Sequence, residues 1–332
     1  VLPTAATGHL VTAIRAADVT KPLAAVVLDQ AEAVSLLPRA TTDGEAEAAG
    51  QPRFIPSYAY PEAAAHALAR AATYGAWRSR PPGHVPQLGD VREGDARALA
   101  RTFPRGSPDG GWLPSDRVAE LLGSYGIPLA SLTPVTSADG AVRAAADLAG
   151  PVVLKADVPG LVHKTDAGAV QLDLRTEADI RRAYRQLTAK FGPHARVLVQ
   201  PMITGGTEVI IGVAQEPVFG PLVVFGLGGV ATDVLADRAA RLAPLTDTDA
   251  DELIRSIRSA PLLLGYRGAQ PADVAALRQT LLRVSRLADD LPEIAELDLN
   301  PVIARPDGVS AVDARIRLTP VQPQDPFLRR LH

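Results

Sequence analysis

From Leu113 onward the chain settles into a regular alternation of strand-like and helix-like segments. A stretch dense in Pro and Gly, residues 81–111 with one short helix expected at about 93–102, separates it from what comes before. That change of pattern predicts an α/β module following a linker, and so at least two domains. The spacing predicts a helix over 115–125, an extended stretch over 127–133 and a helix over 137–148 that ends at Gly150. Strands are expected at 151–155 and 170–174, and an amphipathic helix over 176–191 opens with the acidic Glu177 and Asp179. Three further strands (195–203, 208–214, 221–225) and two helices (247–259, 273–290) precede a closing hairpin. That hairpin pairs 295–304 with 310–318 across the turn Pro306-Asp307-Gly308.

The first eighty residues read as the end of another α/β domain. They hold short apolar strands at 22–28 and 53–58 and an Ala-rich helix over 61–78 with Pro in its first turn. The sequence starts at Val1 rather than Met, which reads as a piece cut from a longer polypeptide, so a targeting signal upstream is compatible with it. The chain has no cysteine, which excludes disulfides, thiolate metal sites and cysteine nucleophiles and fits a reducing cytoplasm. A net charge of −3 argues against nucleic acid as a bulk electrostatic partner, and no uncharged apolar run is long enough to span a membrane. A homo-oligomer is compatible with the composition.

Residue scarcity directs attention to particular positions. The basic residues are nearly all Arg, and the only lysines are Lys21, Lys155, Lys164 and Lys190; Asn300 is the only asparagine. Residues 151–170 (PVVLKADVPGLVHKTDAGAV) predict a strand that delivers Lys155 at its end. A loop with Gly160 and Gly168 then surrounds His163-Lys164-Thr165-Asp166. Lysine charge and glycine-exposed backbone N–H groups suit phosphates; an ordinary polar surface turn would look similar, but would not need scarce lysine twice. In residues 195–213 a Gly205-Gly206 turn joins two strands, with Gln200 and Met202 near the end of the first and Glu208 opening the second. A strand-end backbone can bind adenine and a nearby carboxylate can hold ribose hydroxyls, although Glu208 taken alone also reads as a solvated strand end. In the closing hairpin Asp298 and Asn300 are two apart and so share a face, and Asp313 on the partner strand can face them. One carboxylate and one amide oxygen opposite nucleotide phosphates suit Mg²⁺.

Residues 226–231 (GLGGVA) follow a strand and match G-x-G-x-x-A, with Asp247 about twenty residues on, as a dinucleotide fingerprint requires. No second parallel strand is evident ending at Asp247, so the glycines read as a turn beside the phosphates.

Taken in order, these elements resemble an ATP-grasp domain, and more closely the ATP-grasp part of the NDP-forming acyl-CoA synthetases, relatives of the succinyl-CoA synthetase β chain. The motifs are VHKTDAGAV at 162–170, QPMITGGTEVIIGV at 200–213, FGLGGV at 225–230, LDLNP at 297–301 and VDARI at 312–316. The resemblance implies an ATP-grasp fold of two α+β subdomains over 112–320, preceded by the C-terminal part of a flavodoxin-like CoA-ligase domain over 1–80, and followed by a tail over 321–332. It implies ATP or ADP with Mg²⁺ as cofactors. Lys155 and Lys164 would meet the nucleotide phosphates, Gln200 and Met202 the adenine, Glu208 the ribose, and Asn300 and Asp313 the metal. It implies a ligase of acetate–CoA type interconverting acyl-CoA, ADP and phosphate with acid, CoA and ATP through phosphohistidine. His163 would carry a phosphoryl group and Asp298 would orient the phosphohistidine. The partners it implies are acyl-CoA and upstream CoA-binding and phosphohistidine domains. Two departures temper it: Asp157 follows Lys155 closely, and no serine stands near position 158. Similar drift occurs in members fused to a GNAT protein lysine acetyltransferase, so a regulatory nucleotide or acyl-CoA sensor in such a fusion is the alternative reading.

Overall fold

The computed structural model describes residues 21–28, 32–38, 54–102, 110–158, 167–229 and 236–320. They divide into two compact units, with the boundary between Pro82 and Gly83.

In the first unit β1 (Ala25–Val26) runs parallel to β3 (Phe54–Tyr58), and β2 (Val34–Pro38) pairs antiparallel on the other edge of β3. Helix α1 (Pro61–Arg78) follows, with Pro at its start as the sequence predicted. β2 is a strand the sequence reading did not mark.

The second unit opens with α2 (Glu93–Thr102), inside the stretch expected to be a linker. Ala96, Leu99 and Ala100 of this helix are buried in the main core. Their spacing of three and four residues puts them on one helical face, so the segment packs as part of the module. Salt bridges from Arg283 to Asp90 and from Arg286 to Glu93 fix the same stretch. Ahead of it, His84 N–H donates to Asp247 Oδ1 and accepts, through its carbonyl, from Asp247 N–H. Gly83 is required there, because a Cβ would sit 2.5 Å from Thr246 Oγ1.

The chain then forms β4 (Gly111–Trp112), α3 (Ser115–Ser124), β5 (Thr133–Val135), α4 (Ala138–Ala146), β6 (Val152–Ala156), β7 (Val170–Leu174), α5 (Glu177–Phe191) and β8 (Val197–Pro201). β5, β8, β6 and β7 lie in that order in a small antiparallel sheet covered by α4 and α5. α5 starts where Thr176 and Asp179 form a reciprocal capping box, satisfying N–H groups that the first turn leaves without helical partners.

β9 (Thr207–Glu216), β10 (Gly220–Leu227), β11 (Arg238–Leu242), β12 (Ile294–Arg305), β13 (Gly308–Ala311) and β14 (Ala314–Leu318) build the larger sheet. Its order is β11-β10-β9-β12-β14-β4, with β13 on β12. Helices α6 (Asp247–Ser256), α7 (Ala260–Leu263) and α8 (Val274–Asp290) precede β12. α8 buries Leu277, Leu281, Val284, Leu287 and Ala288 as a stripe at helical spacing against this sheet. The two sheets and their helices form the two α+β subdomains of the expected fold.

Two further sequence expectations change. Residues 127–133 are mostly irregular: Ala311 N–H donates to Pro128, Ala130 N–H donates to Ala311, and only Thr133 enters a strand. Pro128 has no N–H to offer a ladder, and the segment carries the chain from the large sheet to the small one. The dinucleotide fingerprint is excluded. β10 pairs antiparallel with β11, Gly226 facing Arg238, instead of leading to a crossover helix and a parallel strand.

Candidate functional site

β6 has both faces covered. Val152, Leu154 and Ala156 turn toward α4 and α5, so Val153 and Lys155 turn to the opposite face. Lys155 is 7% exposed, and its ammonium donates to the carbonyl of Val312 in the large subdomain. A buried ammonium is costly without such acceptors. Val312 adjoins Asp313, whose own carbonyl accepts from Asn300 N–H at 3.2 Å, while Val312 N–H donates to Pro301 at 3.0 Å. Lys155 of the small sheet thus reaches the Val312–Asp313 segment of the large subdomain, and backbone hydrogen bonds tie that segment to Asn300 and Pro301. A cleft there is lined by Ser115, Lys155, Asp157, Leu198, Asp313 and Ala314.

Asn300 sits where β12 slips register against β9, between Leu299 and Val302. A strand irregularity tolerates Asn, and such irregularities re-aim side chains. Asp298 lies two residues earlier, opposite Gly212 on β9 and Arg315 on β14. Arg315 Nη2 donates to Asp298 Oδ2 at 2.7 Å, and the Arg315 guanidinium lies 5.4 Å from the centre of the Trp112 ring. The sequence reading assigned no role to Arg315 or Trp112. The available signal was alternation along VDARI, which puts Asp313 and Arg315 in step.

Glu208 is exposed at the start of β9, and its carbonyl accepts from Gly228 N–H. It stands four residues from Gly212 along one strand, about 14 Å at strand rise. Gly228 admits this approach because a Cβ there would meet the Glu208 carbonyl carbon at 2.9 Å. Those glycines therefore serve strand contact at Glu208. Gln200 is 1% exposed, and its amide donates to the Ala130 carbonyl at 3.3 Å. It shares with Lys155 the face of the small sheet turned from the helices. Met202 N–H donates to Pro151, so that donor is engaged within the protein. Asp157 accepts charge compensation from Arg196 at 3.7 Å, and Arg196 also reaches Asp116 at 3.7 Å. The acidic neighbour of Lys155 is therefore matched by a cation. His163 and Lys164 lie outside the described residues.

A buried lysine of the small sheet therefore bonds the backbone of the large subdomain. Residues 107–318 match the ATP-grasp domain. This chain belongs to the ATP-grasp family. It is 40% identical over 240 residues to the beta subunit of acetate–CoA ligase [ADP-forming] I from Pyrococcus furiosus, a match covering 70% of this chain and 100% of that subunit. It is 35% identical over 272 residues to 4-hydroxybutyrate–CoA ligase [ADP-forming] from Nitrosopumilus maritimus, covering 80% of this chain and 38% of that longer enzyme. The ATP-grasp chain is also similar to acetyl-coenzyme A synthetase 1 of Ca. Korarchaeum cryptofilum, solved in complex with coenzyme A and Mg-AMPPCP with its phosphohistidine segment pointing towards the nucleotide binding site. That likeness has 38% identity and a TM-score of 0.59, and covers 67% of this chain and 99% of that one. Among the described residues no helix is long and apolar enough to cross a membrane.

Proposed function

We propose that this chain binds ADP or ATP with Mg²⁺ and performs the nucleotide half of an ADP-forming acyl-CoA ligase, passing a phosphoryl group between phosphohistidine and ADP. The observation that carries the reading is the reach of Lys155 to Val312 beside Asp313, a segment bonded through its backbone to Asn300, with Glu208 and Asp298 to either side of Asn300 along the open face of one sheet. Glu208, then Asn300, then Asp298 is the order in which ribose, metal-bridged phosphates and a phosphoryl partner would follow one another along a nucleotide.

Lys155 contributes a desolvated positive charge to the phosphates, stronger there than in water. Asn300 and Asp313 would hold Mg²⁺ through one amide and one carboxylate oxygen, leaving phosphate oxygens and water to complete its shell. When bound, the metal neutralises phosphate charge. A histidine nitrogen then receives or releases the phosphoryl group as the P–O bond to ADP breaks or forms, and Asp298 faces the ring that carries it. His163 in the VHKTD segment is one such histidine, and another would come from a partner domain that also binds CoA. Acyl-CoA, ADP and phosphate would yield acid, CoA and ATP only with that partner, with acetate as the acyl class favoured by the similar subunits. Glu208 would hold the ribose. Gln200 supports the site by tying its strand to Ala130, and Met202 with the residues after it would border the adenine.

Calorimetric titration of ADP with and without Mg²⁺ tests the reading. Binding in the micromolar range that Mg²⁺ strengthens is expected; no binding in either condition would reject it.

A further inference from the structure

Asp298 is paired with Arg315, a residue with no role in holding the nucleotide. On the open face of the large sheet, β9 presents Gly212 beside Asp298, so β9 itself puts no side chain on that flank and the next one across is Val224 of β10. On the other flank stands Arg315, paired directly across the strands and bonded to one carboxylate oxygen, Oδ2, at 2.7 Å. The guanidinium is supported from β4 by the Trp112 ring. Both side chains are mostly shielded, Asp298 at 24% and Arg315 at 22% exposure. A planar cation resting on an aromatic face loses little freedom when it bonds a carboxylate, so the pair is pre-organised.

We infer that Arg315 is a positioning residue for phosphoryl transfer: seated on Trp112, it locks Asp298 so that the free oxygen and the open flank over Gly212 receive the imidazole ring of the phosphoryl carrier. This rests on the nucleotide-site reading above and adds to it the group that aims the carboxylate. In the transfer, the P–N bond to imidazole breaks and a P–O bond forms to the terminal phosphate oxygen of ADP. The imidazole leaves with the electron pair, and Asp298 compensates the positive charge of the ring while the phosphoryl group is attached. A carboxylate free to swing would meet the ring in fewer productive orientations.

The test uses the full chain with N-phosphoimidazole as donor, Mg²⁺ and ADP, reading ATP formed, with ADP affinity measured in parallel. Arg315→Gln keeps the stem over Trp112 and removes the charge. It should lower the transfer rate about ten- to a hundredfold, the range for loss of one charge-assisted hydrogen bond, with ADP affinity unchanged. Arg315→Lys should restore part of the rate. In an Asp298→Asn background, Arg315→Gln should cost little further, because the two act as one unit. Transfer at the wild-type rate in Arg315→Gln would overturn the inference, as would full additivity with Asp298→Asn or an ADP affinity that falls in step with the rate. Wild-type chain that binds ADP but makes no ATP would overturn the placement of Asp298 at the transfer point, and Arg315's role with it. Failure to bind ADP at all would reject the parent reading.

Discussion

The ammonium of Lys155, at the end of a strand in the small sheet, donates to the carbonyl of Val312 on the large one, one residue from Asp313. One lysine therefore touches both subdomains at the place where phosphates would lie. Lys155→Met keeps the length of the side chain and removes its charge. It should weaken ADP binding about ten- to a hundredfold while leaving the helical signal intact. Calorimetry and far-UV circular dichroism on the same sample check this, and unchanged affinity would remove Lys155 from the site.

Asn300 and Asp313 make a separable prediction. Asn300→Ala should raise the Mg²⁺ concentration needed for half-maximal ADP binding by about tenfold, as expected for a lost oxygen ligand or its hydrogen-bonded substitute. Affinity measured without Mg²⁺ should change little. A variant equally weakened with and without the metal would speak for a scaffolding role.

Arg196 balances Asp157 beside the cleft. Arg196→Ala should weaken ADP binding by only about three- to fivefold, since the pair is partly exposed and such pairs contribute about 0.5–1 kcal/mol. Repulsion from an unmatched Asp157 would be screened, so the gap to wild type should narrow with added salt. A gap that stays constant from low to high salt would contradict this account.

Asp237 offers a prediction about stability and pH. It is 8% exposed and accepts hydrogen bonds from the backbone N–H groups of Arg258 and Ser259, both at 2.8 Å. Burial works to raise its carboxyl, but the hydrogen bonds from Ser259 and Arg258 outweigh it, so the net effect is below the ordinary carboxylate range. A carboxyl lowered on folding adds stability that is fully present above its unfolded value and is lost as pH falls through the folded one. Asp237→Asn should therefore cost about 1–2 kcal/mol at neutral pH and much less in acid, read by denaturant melts at several pH values. An equal cost at every pH would show that only shape matters at this position.

Much of this was legible from residue types at fixed spacings. The strand at 170–174 and the helix over 61–78 follow directly from periodicity and flanking residues, and β6 ends at Ala156, one residue past the expected Lys155. Asp298 and Asn300 drew notice because two-residue spacing fixes a common face and Asn is rare in strands. What sequence spacing could not supply was cross-strand partnership. Arg315 becomes meaningful only once β12 and β14 are in register, and Trp112 only once β4 joins β14. Gln200 was expected at the adenine, but its amide is engaged by Ala130, a carbonyl seventy residues away. β11 was missed because its polar sequence, RAARL, carries little strand signal, and pairing with β10 is what makes it a strand.

The family match opens at residue 107, but the packing opens at Gly83. Evolutionary kinship and mechanical integrity therefore draw different outlines around the same module. A chain trimmed to the family boundary would keep every residue assigned to the nucleotide, yet strip α2 from the core shared by Leu121 and Leu122 and release the clasp of His84 on Asp247. Such a trimmed piece would keep those side chains and lose the wall of the core behind them, so a loss of ADP binding in it would report on the missing helix and not on the proposed site.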